Sequence, residues 1–138
     1  MIQASRFLDN VAENAGAIYV SNHIMEIHDW NFDSNRATLG DGGGLYLEWA
    51  NNYDCEYDVY NNTFTKNLAN ISGGAVAWND IMPYNLSNNT YELNSALYGN
   101  DIASYPIRIE IIDNESRILE DNYVISNIPS GYPANFTI

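Results

Sequence analysis

Cysteine and basic residues are scarce in this chain of 138 residues. Cys55 is the one cysteine, which excludes an internal disulfide and a zinc site built from cysteines. Lysine and arginine number 5 against 18 aspartates and glutamates, giving a net charge of −13. Such a negative chain is poorly suited to nucleic acid or to anionic membrane surfaces, so we expect neither as a partner.

Long apolar runs are also missing. No stretch approaches the roughly 20 residues of a transmembrane helix, so we expect no membrane insertion of this segment. The N-terminal MIQASRFLDN lacks the apolar core of a signal peptide, and if the protein is secreted we expect its signal upstream of this sequence. No window of helical length carries an apolar stripe with caps, which favours an all-β fold.

A short motif recurs four times along the chain. Each copy has an aromatic residue, an asparagine three positions later, an alanine two positions after that, and then a glycine corner with a β-prone segment. The aromatics are Phe7, Phe32, Phe64 and Tyr91, and the asparagines are Asn10, Asn35, Asn67 and Asn94. The asparagines are 25, 32 and 27 residues apart, and periods of about 20 to 50 residues are typical of stacked repeats.

The repeat predicts a parallel β-helix of about four coils over residues 1–106, in which like residues lie over like at roughly 4.8 Å. The aromatics would form an internal stack. The asparagines would form a ladder at a tight corner, where asparagine tolerates left-handed geometry and its amide can bond to the next coil. The glycine pairs, such as Gly43-Gly44 and Gly73-Gly74, would allow positive φ at the opposite bend. The alternative is an ordinary β-sandwich.

Residues 5–106 resemble the right-handed β-helix repeats of polymorphic outer-membrane proteins and other pectin-lyase-like chains, which read F-x-x-N-x-A followed by Gly-Gly-Ala-Ile. They are most similar to the version found in very large surface proteins of protists. The first copy departs from the pattern at Ala15, and the fourth has Gly99-Asn100 in place of the glycine pair, as expected of a terminal coil. The resemblance implies a right-handed solenoid and a cell-surface setting, but no particular chemistry.

The pattern changes after Pro106. Ile107 to Ile111 alternate strictly between apolar and charged residues, as in a half-buried strand. We therefore expect residues 107–138 to form a β-strand tail, either the start of another β-domain or a strand that pairs with a neighbouring subunit.

Sequons for N-glycosylation are more frequent than chance predicts. The chain has six, where 21 asparagines and 15 serines and threonines would give about two. They begin at Asn61, Asn70, Asn85, Asn88, Asn114 and Asn135. Asn61-Asn62-Thr63-Phe64 and Asn88-Asn89-Thr90-Tyr91 are the same motif 27 residues apart, so their glycans would project from one side of a β-helix.

Acidic and histidine clusters are weak candidates for a metal site. Asp54, Glu56 and Asp58 alternate and would share one strand face, where three carboxylates could hold Ca²⁺. A solvated face or loop is the more usual explanation of such a cluster, so we expect no metal. His23 and His28 are five residues apart and would face opposite ways on a strand. We therefore expect them not to form a metal site together with Glu26, which lies between them.

Three functions are compatible with these features. The clustered sequons favour an extracellular or cell-surface structural glycoprotein that stacks into a coat or filament with copies of itself or adjoining domains. Outward aromatics, with Trp49 and Trp78 ending comparable strands, would suit a glycan-binding module. A polysaccharide lyase or hydrolase needs converging acids with a base, whereas Asp9 and Asp33 do not align, Lys66 is the one lysine and the arginines are scattered. We therefore expect no enzyme activity and no cofactor beyond N-linked glycans.

Overall fold

The computed structural model describes residues 5–49 and 56–105. Within these two ranges the chain forms thirteen short strands. They are β1 (Arg6–Leu8), β2 (Val11–Ala12), β3 (Ile18–Ser21), β4 (Ile24–His28), β5 (Asn31–Asp33), β6 (Arg36–Ala37), β7 (Leu45–Glu48), β8 (Glu56–Tyr60), β9 (Thr63–Thr65), β10 (Leu68–Ala69), β11 (Val76–Trp78), β12 (Thr90–Glu92) and β13 (Ile102–Ser104). The predicted tail, residues 107–138, lies outside the described residues, as do Asp54 and Cys55.

The strands form four parallel sheets that the chain visits in a fixed order. The sheets are β1-β5-β9-β12, β2-β6-β10, β3-β7-β11-β13 and β4-β8. Each strand pairs in parallel with its counterpart in the next copy of the repeat, so that Phe7 lies opposite Phe32 and Phe32 opposite Phe64. The prediction of an all-β fold is confirmed, since no helix occurs within the described ranges.

Alternation along the strands builds the core. In β7 and β8 every second side chain is buried, because successive side chains of a strand point to opposite faces. The inward residues form one cluster with a column of aromatic rings at its centre. Phe32 and Phe64 have their ring centroids 4.6 Å apart and nearly parallel, and both are fully buried. Phe7 and Tyr91 extend the column, at 5.0 and 5.5 Å.

The turn before the third sheet needs one left-handed residue in every copy. The residues at this position are Ala15, Gly42, Gly73 and Gly99, with φ between 50° and 67°. In the second copy the glycines matching Gly73 and Gly74 are therefore Gly42 and Gly43, one residue earlier than the motif alignment predicts. The alignment was wrong because the segment between the aromatic and this turn differs in length from copy to copy.

Ala15 is the strained member of this column. An L-residue with a β-carbon has a cost of roughly 1–2 kcal/mol in the left-handed region, while a new glycine makes the unfolded chain more flexible. We expect Ala15→Gly to raise the free energy of unfolding by about 0.5 kcal/mol in urea titrations. The matched control is Ala17→Gly, in the same turn but without positive φ, which should lower it by about 0.5–1 kcal/mol. Equal effects of the two substitutions would contradict the strain at Ala15.

Candidate functional site

The first asparagine ladder is formed by Asn10, Asn35, Asn67 and Asn94. Asn35 donates from its backbone N–H and from Nδ2 to Oδ1 of Asn67, at 3.0 and 2.9 Å. Asn10 makes the same two bonds to Asn35, and Asn67 makes them to Asn94. Nδ2 of each later asparagine also donates to a carbonyl of the preceding copy, as from Asn67 to Phe32 at 2.9 Å. The buried amides therefore satisfy one another, as buried polar groups require.

The left-handed residue at this corner is the one before each asparagine, and not the asparagine as the sequence suggested. Asp9, Ser34, Lys66 and Leu93 have φ between 54° and 59°. All four copies therefore keep an asparagine at this corner, and its carboxamide bonds between copies. The residue before it makes the turn. The side chain that precedes the asparagine varies from copy to copy because this position faces outward, with Lys66 and Leu93 exposed.

A second asparagine ladder, which the sequence analysis did not identify, is formed by Asn62 and Asn89. Asn62 donates from its backbone N–H and Nδ2 to Oδ1 of Asn89, at 2.9 and 3.1 Å. It also donates from Nδ2 to the carbonyl of Ile27, and its Oδ1 accepts from the backbone N–H of Trp30. Trp30 occupies the equivalent position in the preceding copy, so this ladder begins one copy later than the first. The repeated Asn-Asn-Thr motif was its sequence signal.

The sequon corner consists of Asn61 and Asn88, which directly precede the members of the second ladder. Both residues are exposed and have φ of 56°. The backbone N–H of Asn61 donates to the carbonyl of Ser87, so the two asparagines lie in adjacent copies at the same corner. The inward amides Asn62 and Asn89 fix the backbone here, and the outward carboxamides of Asn61 and Asn88 project into solvent.

The other sequons differ in environment. Asn70 is exposed, but its sequon hydroxyl, Ser72, is buried and donates to Oδ1 of Asp41 at 2.5 Å. Asn85 is half-buried, and its Oδ1 accepts from the N–H of Ser87 at 2.9 Å. Asn114 and Asn135 lie outside the described residues.

The acidic candidates for Ca²⁺ do not converge where the structure describes them. Glu56 is exposed and Asp58 is half-buried on β8, with Glu26 opposite Asp58 on β4. Within residues 5–49 and 56–105 no group of three potential ligands could hold a metal ion. Asp54, the third candidate, falls outside these ranges.

The histidines are held apart by local contacts. His28 Nδ1 lies 2.8 Å from Oδ2 of Asp29, and its ring stacks on Tyr60 with centroids 5.0 Å apart. His23 Nδ1 lies 2.6 Å from the backbone carbonyl of Ser21. Glu26 is exposed on β4 and bonds to neither ring.

The acids considered for polysaccharide chemistry are also separate. Asp33 pairs with Arg6 at 3.0 Å, and the Ser34 hydroxyl together with the Arg6 guanidinium lowers the pKa of its carboxyl. Asp9 and Lys66 are exposed at the left-handed corner, one residue before their ladder asparagines.

A face of tyrosines and carboxylates lies on the outer side of the third sheet. Tyr19 and Tyr46 are neighbours with centroids 5.5 Å apart, and the Tyr19 hydroxyl donates to Glu48. Burial and the neighbouring Glu48 carboxylate raise the pKa of Tyr19 to about 12. Burial and the negative charge of Asp41 raise the pKa of Tyr46 to about 12 as well. Tyr105 donates to Oδ2 of Asp41 at 2.5 Å, which raises the pKa of its phenol.

Neither of the tryptophans named as possible sugar contacts is exposed. Trp78 is buried and belongs to the core cluster, while Trp49 is half-buried and its backbone N–H donates to Oδ1 of Asn79 at 2.8 Å. The exposed aromatics of the described ranges are tyrosines, among them Tyr19 and Tyr84.

Comparisons of the chain with protein-family models, curated proteins and solved structures found no match. No helical segment in the described part of the chain is long and apolar enough to cross a membrane.

Proposed function

We propose that this chain is a segment of an extracellular structural glycoprotein, folded as a right-handed parallel β-helix. The coil is supported by the fixed order in which the chain visits its four sheets and by the parallel pairing of each strand with the next copy. The right hand follows from the strong preference of connections between parallel strands for that hand. The handedness and the continuous coil are part of the proposal.

The observation that carries the glycoprotein assignment is the sequon corner. Asn61 and Asn88 are both exposed, both begin an Asn-Asn-Thr sequence, and both lie at one corner in adjacent copies. Two glycans there would cover one side of the fold with sugar, and N-glycosylation would place the protein in the secretory pathway. Asn70, Asn85, Asn114 and Asn135 are the further candidate sites.

The buried asparagine side chains support a structural role. The carboxamides of Asn35, Asn67 and Asn94 bond to the neighbouring copies and to one another, which makes them part of the framework. Parallel sheets of this kind end in strands with unpaired backbone groups, which invite further copies or adjoining domains. We infer a coat or filament at the cell surface, with no catalytic activity and no cofactor other than glycans.

Peptide mapping tests this proposal on chain secreted from a eukaryotic host. We expect glycans at Asn61 and Asn88, and we expect Thr63→Ala and Thr90→Ala each to remove one glycan from the intact mass. Thr65→Ala is the matched control, because Thr65 lies on the same strand as Thr63 but in no sequon. Secreted chain with unmodified Asn61, Asn70 and Asn88 would defeat the glycoprotein assignment.

A glycan-binding module is the second candidate, favoured by the exposed Tyr19 and its half-buried neighbour Tyr46 beside Glu48. Aromatic rings with nearby carboxylates can contact the apolar faces and hydroxyls of sugars. Screening the purified chain against immobilised oligosaccharides, with Tyr19→Ala as the comparison, tests this alternative. Equal binding by both proteins, or none, would reject it.

A further inference from the structure

The four sequons within the described ranges differ in whether their hydroxyl group can be reached. N-glycosylation requires an asparagine and a hydroxyl two residues later, so the transferring enzyme must reach both groups. The sequon at Asn88 exposes both its asparagine and its threonine, and at Asn61 the hydroxyl residue, Thr63, is half-buried. The sequon at Asn70 combines an exposed asparagine with Ser72, which is only 5% exposed. Among these four it is the one with a buried hydroxyl residue.

The Ser72 hydroxyl is also held by a hydrogen bond to the second copy. It donates to Oδ1 of Asp41 at 2.5 Å, and Asp41 is itself only 7% exposed. The other carboxylate oxygen of Asp41 accepts from the Tyr105 hydroxyl, which fixes the acceptor. Hydrogen bonds to a carboxylate are stronger than those between neutral groups. The hydroxyl that the transferring enzyme must contact is therefore occupied within the fold.

The backbone of this sequon is bound on both sides. The N–H groups of Asn70 and Ile71 donate to carbonyls of the second copy at 3.1 and 3.0 Å, and the Ser72 carbonyl accepts from an N–H of the second copy at 2.9 Å. On the other side, the N–H of Gly73 donates to the carbonyl of Tyr98 in the fourth copy at 3.1 Å. Reaching the Ser72 hydroxyl therefore requires the third copy to separate from the second.

The asparagine of the sequon, by contrast, leaves room for a glycan in the folded chain. Asn70 is exposed, and its Nδ2 makes one long hydrogen bond, 3.5 Å, to the carbonyl of Leu39. A glycan replaces one of the two hydrogens on Nδ2 and leaves the other. The fold can therefore carry a glycan at Asn70 that it does not allow to be attached.

We propose that folding controls glycosylation of Asn70, which accepts a glycan only before the third copy packs on the second. This rests on the glycoprotein assignment made above. Because a chain is synthesised from its N-terminus, the second copy is already present when Ser72 emerges. Glycan transfer to Asn70 then competes with formation of the bond from Ser72 to Asp41, whereas Asn88 stays accessible after folding.

The transfer itself is the usual substitution at a sugar carbon. Nδ2 of Asn70 forms a bond to the anomeric carbon of an oligosaccharide carried on a lipid diphosphate. The bond from that carbon to the diphosphate oxygen breaks, the lipid diphosphate leaves, and Nδ2 gives up one proton to solvent. The fold acts on this reaction only by hiding the hydroxyl through which the enzyme recognises the sequon.

Glycan transfer in vitro tests the proposal on the full chain. Unglycosylated chain from a bacterial host is incubated with purified oligosaccharyltransferase and a lipid-linked oligosaccharide, and peptide mapping over time gives the transfer rates at Asn70 and Asn88. The readout is the ratio of the two rates. Because both sequons are in one molecule, the amounts of enzyme and sugar donor cancel.

Two substitutions outside the sequons provide chains with disrupted folds. Gly43→Ala would place a β-carbon 2.2 Å from the carbonyl oxygen of Gly74, between the second and third copies. Phe64→Ala removes a fully buried ring of the third copy. Gly40→Ala is the control, because the nearest atoms to its β-carbon belong to the exposed side chain of Asn14. Circular dichroism at the temperature of the transfer reaction gives the folded fraction of each chain.

We expect a low ratio of Asn70 to Asn88 transfer in the unmodified chain and in Gly40→Ala. Unfolding should raise the ratio by at least about tenfold, since a factor of ten corresponds to the loss of only one or two hydrogen bonds. A variant that stays folded should keep the ratio of the unmodified chain.

The same ratio in folded and unfolded chains would overturn the proposal, whether Asn70 accepts a glycan in both or in neither. A ratio that rises in a variant that is still folded would also contradict it. Failure of the glycoprotein assignment is a separate result, because it is decided by peptide mapping of the secreted chain and not by this ratio.

Discussion

Replacing Asn67 with alanine should lower the free energy of unfolding by about 4 kcal/mol, since a buried polar group that loses its partner costs roughly 1–3 kcal/mol. The substitution removes the acceptor of the Asn35 backbone N–H and of Asn35 Nδ2. It also removes the donor to the carbonyl of Phe32. Asn67 is fully buried, so water cannot replace these bonds without opening the contact between copies.

Asn70→Ala provides the matched control for Asn67→Ala. Asn70 lies three residues further along the same copy, is exposed, and makes one long side-chain bond of 3.5 Å to the carbonyl of Leu39. Its loss should change stability by no more than about 0.5 kcal/mol. Urea denaturation of the unglycosylated protein measures the free energy of unfolding of both variants. Equal stability of the two variants would mean that the ladder does not hold the copies together.

Gly43→Ala should abolish cooperative folding or lower the free energy of unfolding by at least about 3 kcal/mol, the upper end of the usual cost of overpacking. A β-carbon at Gly43 would lie 2.2 Å from the carbonyl oxygen of Gly74 and 2.7 Å from backbone atoms of Leu68. Backbone atoms cannot rotate away as a side chain can. The second and third copies would have to separate, and the 3.0 Å bond from the Gly43 N–H to the Gly73 carbonyl would break.

Gly40→Ala is the control for the glycine substitution. The three atoms nearest to a β-carbon at Gly40 all belong to the side chain of Asn14, which is exposed and can turn outward. We therefore expect Gly40→Ala to unfold cooperatively and to lose less stability than Gly43→Ala. A melting temperature of Gly43→Ala equal to or above that of Gly40→Ala would contradict the close approach of the copies at Gly43.

The residues of the aromatic column and the first ladder are recognisable in the sequence because their spacing within each copy is constant. Phe32 and Asn35 are three residues apart, as are Phe64 and Asn67, and parallel pairing then brings like over like. Two features at this corner could not be read from spacing. Lys66 and Leu93 make the left-handed turn although neither residue type favours it, and position alone requires it.

Other parts of the site have weaker sequence signals for identifiable reasons. The second ladder has two asparagines, Asn62 and Asn89, because Trp30 takes the place of the third. Two repeats of Asn-Asn-Thr first suggest glycosylation, which accounts for the first asparagine of each pair but not for the second. The contact of Tyr105 with Asp41 joins residues 64 apart in sequence, so no local sequence pattern predicts it.

The stacking of like residues in successive copies is tested most directly by nuclear Overhauser effects between copies in the solution NMR spectrum. The ring centroids of Phe32 and Phe64 lie 4.6 Å apart, and Asn35 Nδ2 lies 2.9 Å from Asn67 Oδ1. We predict cross-peaks between the ring protons of Phe32 and Phe64, together with cross-peaks between the side-chain amides of Asn35 and Asn67. A spectrum in which all four residues are assigned and neither set of cross-peaks is present would contradict the stacked arrangement and the proposals that depend on it.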